Sequence, residues 1–128
     1  MNKYIFGFLV MLVSGHVLAD SVDSLQDMSK ESGKIRELTI ECYVELKMAK
    51  SKGWKSEECV AYKQFSKNEL QEFRKSIKKN TEEFRKESKS KDLSKRRIKR
   101  GLKKLVIIQS NMENVGTINK KIKGLAKS

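Results

Sequence analysis

From Ile98 to Leu125 large apolar residues recur at Ile98, Leu102, Leu105, Ile108, Met112, Val115, Ile118, Ile122 and Leu125, at intervals of four, three, three, four, three, three, four and three. A helix returns to one side every 3.6 residues and a strand every two, so this spacing specifies a helix and is incompatible with a strand. It predicts a final helix from about Leu93 onward, roughly 40–50 Å long at 1.5 Å per residue. Gly101, Gly116 and Gly124 weaken it, and Gly116 is the expected break.

The rest of the chain reads the same way. There is no proline in 128 residues, and Lys, Glu, Leu and Ser, which tolerate helix well, dominate. A first helix is expected from about Ser24 to Ala49, with Leu25, Met28, Ile35, Leu38, Cys42, Leu46 and Ala49 on one face. Gly53 suits the left-handed position that closes such a helix. Ser56 followed by Glu57 and Glu58 reads as the N-cap of a short second helix to about Gln64. Ser66 and Glu69 form a capping-box pattern, flanked by Phe65 and Leu70 as a hydrophobic staple, so a new helix is expected from Lys67 to about Glu87. Its buried face would be Leu70, Phe73, Ile77 and Phe84, interrupted by Asn80. The expected fold is all-α: an elongated antiparallel bundle of three to four helices.

Residues 1–19 have the pattern of an export signal. Met1-Asn2-Lys3 is a short positive start, Tyr4 to Val13 is uncharged and apolar, and Val17-Leu18-Ala19 fits a cut before Asp20. The apolar run is well short of the ~20 residues that span a bilayer. The expected organisation is a signal peptide at 1–19 and one helical domain at 20–128. The destination is extracellular, or periplasmic in a Gram-negative bacterium. Export leads to an oxidising compartment, where Cys42 and Cys59, the only two cysteines, are expected to form one intramolecular disulfide. With 16 residues between them, the bridge would stabilise the fold by about 3 kcal/mol through chain entropy.

Charge is distributed unevenly. The formal net charge is +13. Residues 20–56 hold seven acids and seven bases, whereas residues 57–128 hold nine acids and 21 bases. Lys89, Lys91, Lys95, Arg96, Arg97, Lys99, Arg100, Lys103 and Lys104 crowd into one stretch that contains a single acid, Asp92. Solubility alone is served by mixed signs. A one-signed segment favours salt-dependent association with acidic surfaces. These nine bases, with Trp54 as a possible aromatic anchor at the hairpin tip, are the candidate partner-binding residues. An acidic protein surface, an anionic glycan and an anionic membrane all fit. Nucleic acid ranks below them, because no aromatic residue follows Phe84 to stack on bases.

The composition argues against catalysis. His16, the one histidine, lies in the expected signal peptide, so the mature chain lacks the usual general base and zinc ligand. Paired cysteines leave no thiol nucleophile. There is no phosphate-binding glycine loop or dinucleotide fingerprint. No catalytic residue, metal or cofactor is expected. The leading expectation is a secreted, non-enzymatic basic protein that binds, and so shields or inhibits, an acidic partner. One alternative is a membrane-active effector or precursor, cut after Arg100 at Arg97-Ile98-Lys99-Arg100 to release an amphipathic peptide. Another is an oligomeric coiled-coil spacer or chaperone of a bacterial envelope.

Overall fold

The computed structural model describes residues 20–90 and 93–126, so the signal-peptide reading of 1–19 and the candidate Lys91 lie outside the described residues. Among the described residues four helices form an all-α bundle: α1 (Ser21–Ala49), α2 (Glu57–Asn68), α3 (Leu70–Lys89) and α4 (Lys95–Ala126). The bundle makes three passes. α1 runs up, α2 and α3 together run down beside it, and α4 runs up again, parallel to α1. Three contacts between distant parts of the chain fix this topology. Ser21 at the start of α1 meets Glu87 near the end of α3. Asp20 meets Arg97 in the first turn of α4, and Ser32 meets Asn111 halfway along both long helices.

α1 is the hub of the bundle, packed against each of the other helices. Asp20 caps it, its carboxylate accepting the Asp23 backbone N–H at 3.0 Å. Val22, Leu25, Met28, Ile35, Leu38, Cys42 and Leu46 are all buried, as the 3–4 spacing requires. Leu25, Ser32, Thr39 and Leu46 recur every seven residues on α1, as Ile108, Val115 and Ile122 do on α4, and all seven are buried. That period keeps two long helices in register along a common seam. The polar members of the seam are satisfied locally: Ser32 and Thr39 donate to carbonyls of their own helix at 2.8 Å each. Asn111 then donates to the Ser32 hydroxyl at 3.0 Å and ties α4 to α1 at one height.

The hairpin between α1 and α2 is a six-residue 3-10 turn, Lys50–Lys55. The left-handed position falls at Lys50, with φ of 55°, and not at the expected Gly53. Gly53 is required for a different reason: a Cβ there would lie 2.7 Å from the Glu45 carbonyl oxygen. Ser56 caps α2 as expected, accepting the Cys59 backbone N–H at 3.1 Å while its hydroxyl donates to the Gly53 carbonyl at 2.6 Å. The Cys42–Cys59 disulfide is formed across this hairpin, with the two Cα atoms 4.5 Å apart.

Two sequence expectations are corrected. α2 does not end before Ser66. It continues to Asn68, and α3 has no side-chain cap. Glu69 at the junction stays in right-handed helical space, and the backbone ladder crosses it, from the Glu69 N–H to Phe65 and from the Phe73 N–H to Glu69, each at 2.9 Å. With its neighbours already helical, Ser66 cannot serve as an N-cap. Likewise α4 runs unbroken through Gly116. The adjacent Val115 is buried in the seam with α1, and packing over many turns outweighs the ~1 kcal/mol helix penalty of one glycine.

Candidate functional site

α4 begins at a Ser94 cap, whose hydroxyl accepts the Arg97 backbone N–H at 3.2 Å. Seven bases and no acid lie between Leu93 and Met112, and the fold divides them. Lys95, Arg96, Lys99, Arg100 and Lys103 are exposed and Lys104 is half-buried. Arg96, Lys99, Arg100, Lys103 and Lys104, with Ile107, line a shallow groove of about 450 Å³ along one side of the helix. The spacing of three, one, three and one residues between successive bases makes this a helical stripe. Among the described residues, no carboxylate forms an ion pair with any of these five bases.

Arg97 is the correction within this set. Its Nη2 donates to both Asp20 oxygens, at 2.6 and 2.8 Å, and to Asp23 Oδ1 at 3.2 Å. It points back to the first turn of α1 and joins the starts of the two parallel helices, so it belongs to the bundle and not to the outer stripe. Burial raises the Asp20 carboxyl pKa. The Arg97 hydrogen bond, the Asp23 and Val22 backbone N–H groups and the Arg97 charge outweigh this and hold it below its ordinary value.

The other predicted residues separate by location. Lys89, exposed at the end of α3, is at the same end of the bundle as the stripe, because Glu87 contacts Ser21 there. Trp54 is at the opposite end. The 29 residues of α1 separate it from the stripe by about 40 Å at 1.5 Å per residue. It is half-buried against the core, and the Lys63 ammonium lies 4.3 Å from its ring centroid. The structure therefore uses Trp54 as packing for the hairpin, and it cannot act together with the stripe on a small partner.

Sequence spacing alone missed the apolar side of this surface. Leu102 was expected in the core but is 53% exposed, and Val106 and Ile107 are 65% and 43% exposed. The signal was present: Leu105-Val106-Ile107-Ile108 is four consecutive apolar residues, which one side of a helix cannot accommodate. α4 buries Gly101, Ile108, Val115 and Ile122, and Ile98, Leu105, Met112, Ile118 and Leu125 pack half-buried against the same core. α3 and α4 touch closely where the Phe84 ring packs beneath Gly101, in space that a Cβ would need. Away from that contact they diverge. Ile77 and Thr81 of α3 face Leu105, Ile108 and Met112 of α4 across an open, mainly apolar cleft of about 500 Å³, with Arg74 and Glu113 at its margins.

The Arg97–Arg100 processing motif lies inside α4, and the bond after Arg100 adjoins the buried Gly101. A protease would first have to unwind this turn from Phe84. Among the described residues, no three His, Cys, Asp or Glu side chains are gathered to hold a metal ion. None of the described helices is long and apolar enough to cross a membrane. The closed disulfide is the form favoured outside the reducing cytosol. Comparisons with protein-family models, curated proteins and solved structures find no match to this chain.

Proposed function

We propose that this is a secreted, non-enzymatic binding protein that docks the basic face of α4 onto an acidic macromolecule or surface and shields it. The observation that carries this reading is the exposed stripe Arg96, Lys99, Arg100 and Lys103, which among the described residues has no carboxylate partner and is held on a helix of 32 residues. A rigid, pre-aligned array of cations loses little side-chain and backbone entropy on docking compared with a flexible basic tail. It also speeds encounter with polyanions in a salt-dependent way. The neutral segment, residues 20–56, supplies the core helix and the hairpin and adds no net charge to the interaction.

The test is elution of the oxidised protein from an immobilised sulfated glycan along a salt gradient. Replacing Lys95, Arg96, Lys99, Arg100 and Lys103 with Gln should move elution to much lower salt without changing helicity. Arg97 is kept, because it is paired with Asp20 and Asp23 and does not belong to the outer stripe. Elution of the variant at the wild-type position would refute the reading.

A further inference from the structure

We propose that the acidic surface is an anionic lipid bilayer, and that the intact bundle lies on it through the outer face of the first four turns of α4. This rests on the reading above and specifies its partner. A soluble polyanion requires only cations, whereas this face also exposes three large apolar side chains.

At 100° per residue the order around α4 is Leu102, Val106, Lys99, Lys103, Arg96, Ile107 and Arg100, over an arc of roughly 160°. Lys99, Lys103 and Arg96 thus stand between Leu102 and Val106 on one flank and Ile107 on the other. Long basic side chains with apolar neighbours suit the boundary between headgroups and acyl chains. The apolar groups enter a short distance, while the ammonium and guanidinium groups reach back to phosphates. Charge supports the choice: α4 contributes seven bases and no acid from Leu93 to Met112, and its one acid, Glu113, follows beyond the basic stripe. The other large apolar side chains exposed among the described residues, Val44, Met48 and Val60, provide a contrast. They belong to the hairpin end, where Glu41, Glu45, Glu57 and Glu58 are interspersed with Lys47, Lys50, Lys52, Lys55 and Lys63, so the charge there is of mixed sign.

The orientation follows from the fold. The apolar core side of α4 is occupied by α1, so the helix cannot roll further into the bilayer without leaving the bundle. Docking is therefore shallow, and it differs from insertion of a released peptide, which would bury the whole Ile108, Val115 and Ile122 seam.

The experiment compares three forms of the oxidised 20–128 protein, which carries the described core: wild type, Leu102→Ser/Val106→Ser/Ile107→Ser, and the five-base Gln variant. Each is titrated against vesicles of phosphatidylcholine, vesicles of equimolar phosphatidylcholine and phosphatidylglycerol, and soluble heparin. Wild type should bind the anionic vesicles and not the neutral ones. The triple Ser variant, with all three changes on exposed positions, should lose at least about tenfold in vesicle partitioning and keep its heparin affinity. The five-base variant should lose at least about a hundredfold on both. In addition, Val106→Trp should gain a blue-shifted emission on anionic vesicles, while the emission of Trp54 in the wild type should not move. Equal vesicle partitioning of wild type and the triple Ser variant overturns the membrane proposal. So does heparin binding without vesicle binding, and in both cases docking to a polyanion survives. Binding to neither overturns both readings.

Discussion

α1 and α4 are of similar length, 29 and 32 residues, and run parallel along a shared seven-residue seam, yet they do different work. α1 is covered on several sides. Its N-terminus is locked by Arg97 and Glu87, and its C-terminal half is bridged to α2 by the disulfide. α4 is covered by α1 along one stripe, touches α3 closely at Gly101 and meets α2 where the Tyr62 hydroxyl donates to Asn119 Oδ1 at 2.5 Å, with its outer face open to solvent. The acids and bases of residues 20–56 cancel, while α4 is strongly basic at its start. One helix holds the fold together, and this leaves the other free to present a one-signed, partly apolar surface.

This difference should appear first in stability. Ile35→Ala, in the buried face of α1, is expected to cost about 2–5 kcal/mol in chemical denaturation. Ile107→Ala, on the outer face of α4, should stay within about 0.5 kcal/mol. Comparable losses at both sites would mean that α4 is packed on its outer side in solution. Replacing Cys42 and Cys59 together with Ser should cost about 3 kcal/mol, a fall of roughly 10–20 °C in melting temperature for a domain of this size. A melting temperature unmoved by the replacement would show that the hairpin is already held by its other contacts.

Two glycines of α4 sharpen the comparison within a single helix. Gly101→Ala pushes a methyl group into the Phe84 ring and should cost about 1–3 kcal/mol as overpacking. Gly116→Ala meets nothing within 4 Å and should stabilise by about 0.5–1 kcal/mol through helix propensity. Opposite signs in thermal melts are the expected result. The smallest effect concerns pH. Because the folded Asp20 pKa is lowered from 3.8, its contribution is complete above the unfolded value and is lost as pH falls through the folded one. Arg97→Gln should therefore lower stability at pH 5–7 by under about 1 kcal/mol, given the partial solvent exposure of the pair, and the gap from wild type should narrow below pH 4. A gap that widens in acid would contradict the assignment.

Much of this was legible in the sequence because it depends on local periodicity. The apolar intervals gave the helical class, the buried face of α1 and the core positions Ile108, Val115 and Ile122. Two cysteines separated by a glycine turn gave the disulfide, and Ser56 with two following acids gave the α2 cap. What was not legible depends on long-range neighbours. Arg97 looks like its basic neighbours until Asp20, 77 residues away in sequence, is brought beside it. Leu102 follows the same 3–4 rule as Ile108, but α3 covers α4 only near Gly101 and leaves that flank uncovered. The capping pattern at Ser66 was a real local signal, overridden because the hydrogen-bond ladder continues across Glu69.

α3 provides the control for the central claim. Residues 70–89 also carry seven bases, but with four acids among them, whereas the seven bases of 93–112 have none. Affinity for a polyanion, measured against salt concentration, should be tested for wild type, the α4 five-base Gln variant and a variant with Lys75, Lys78, Lys79, Arg85 and Lys86 replaced by Gln. Docking through α4 predicts a flattened salt dependence and a large loss of affinity for the α4 variant, and a small change for the α3 variant that matches its loss of net charge. Equal losses from the two helices would mean that net charge and not the α4 face governs binding, and would contradict the account.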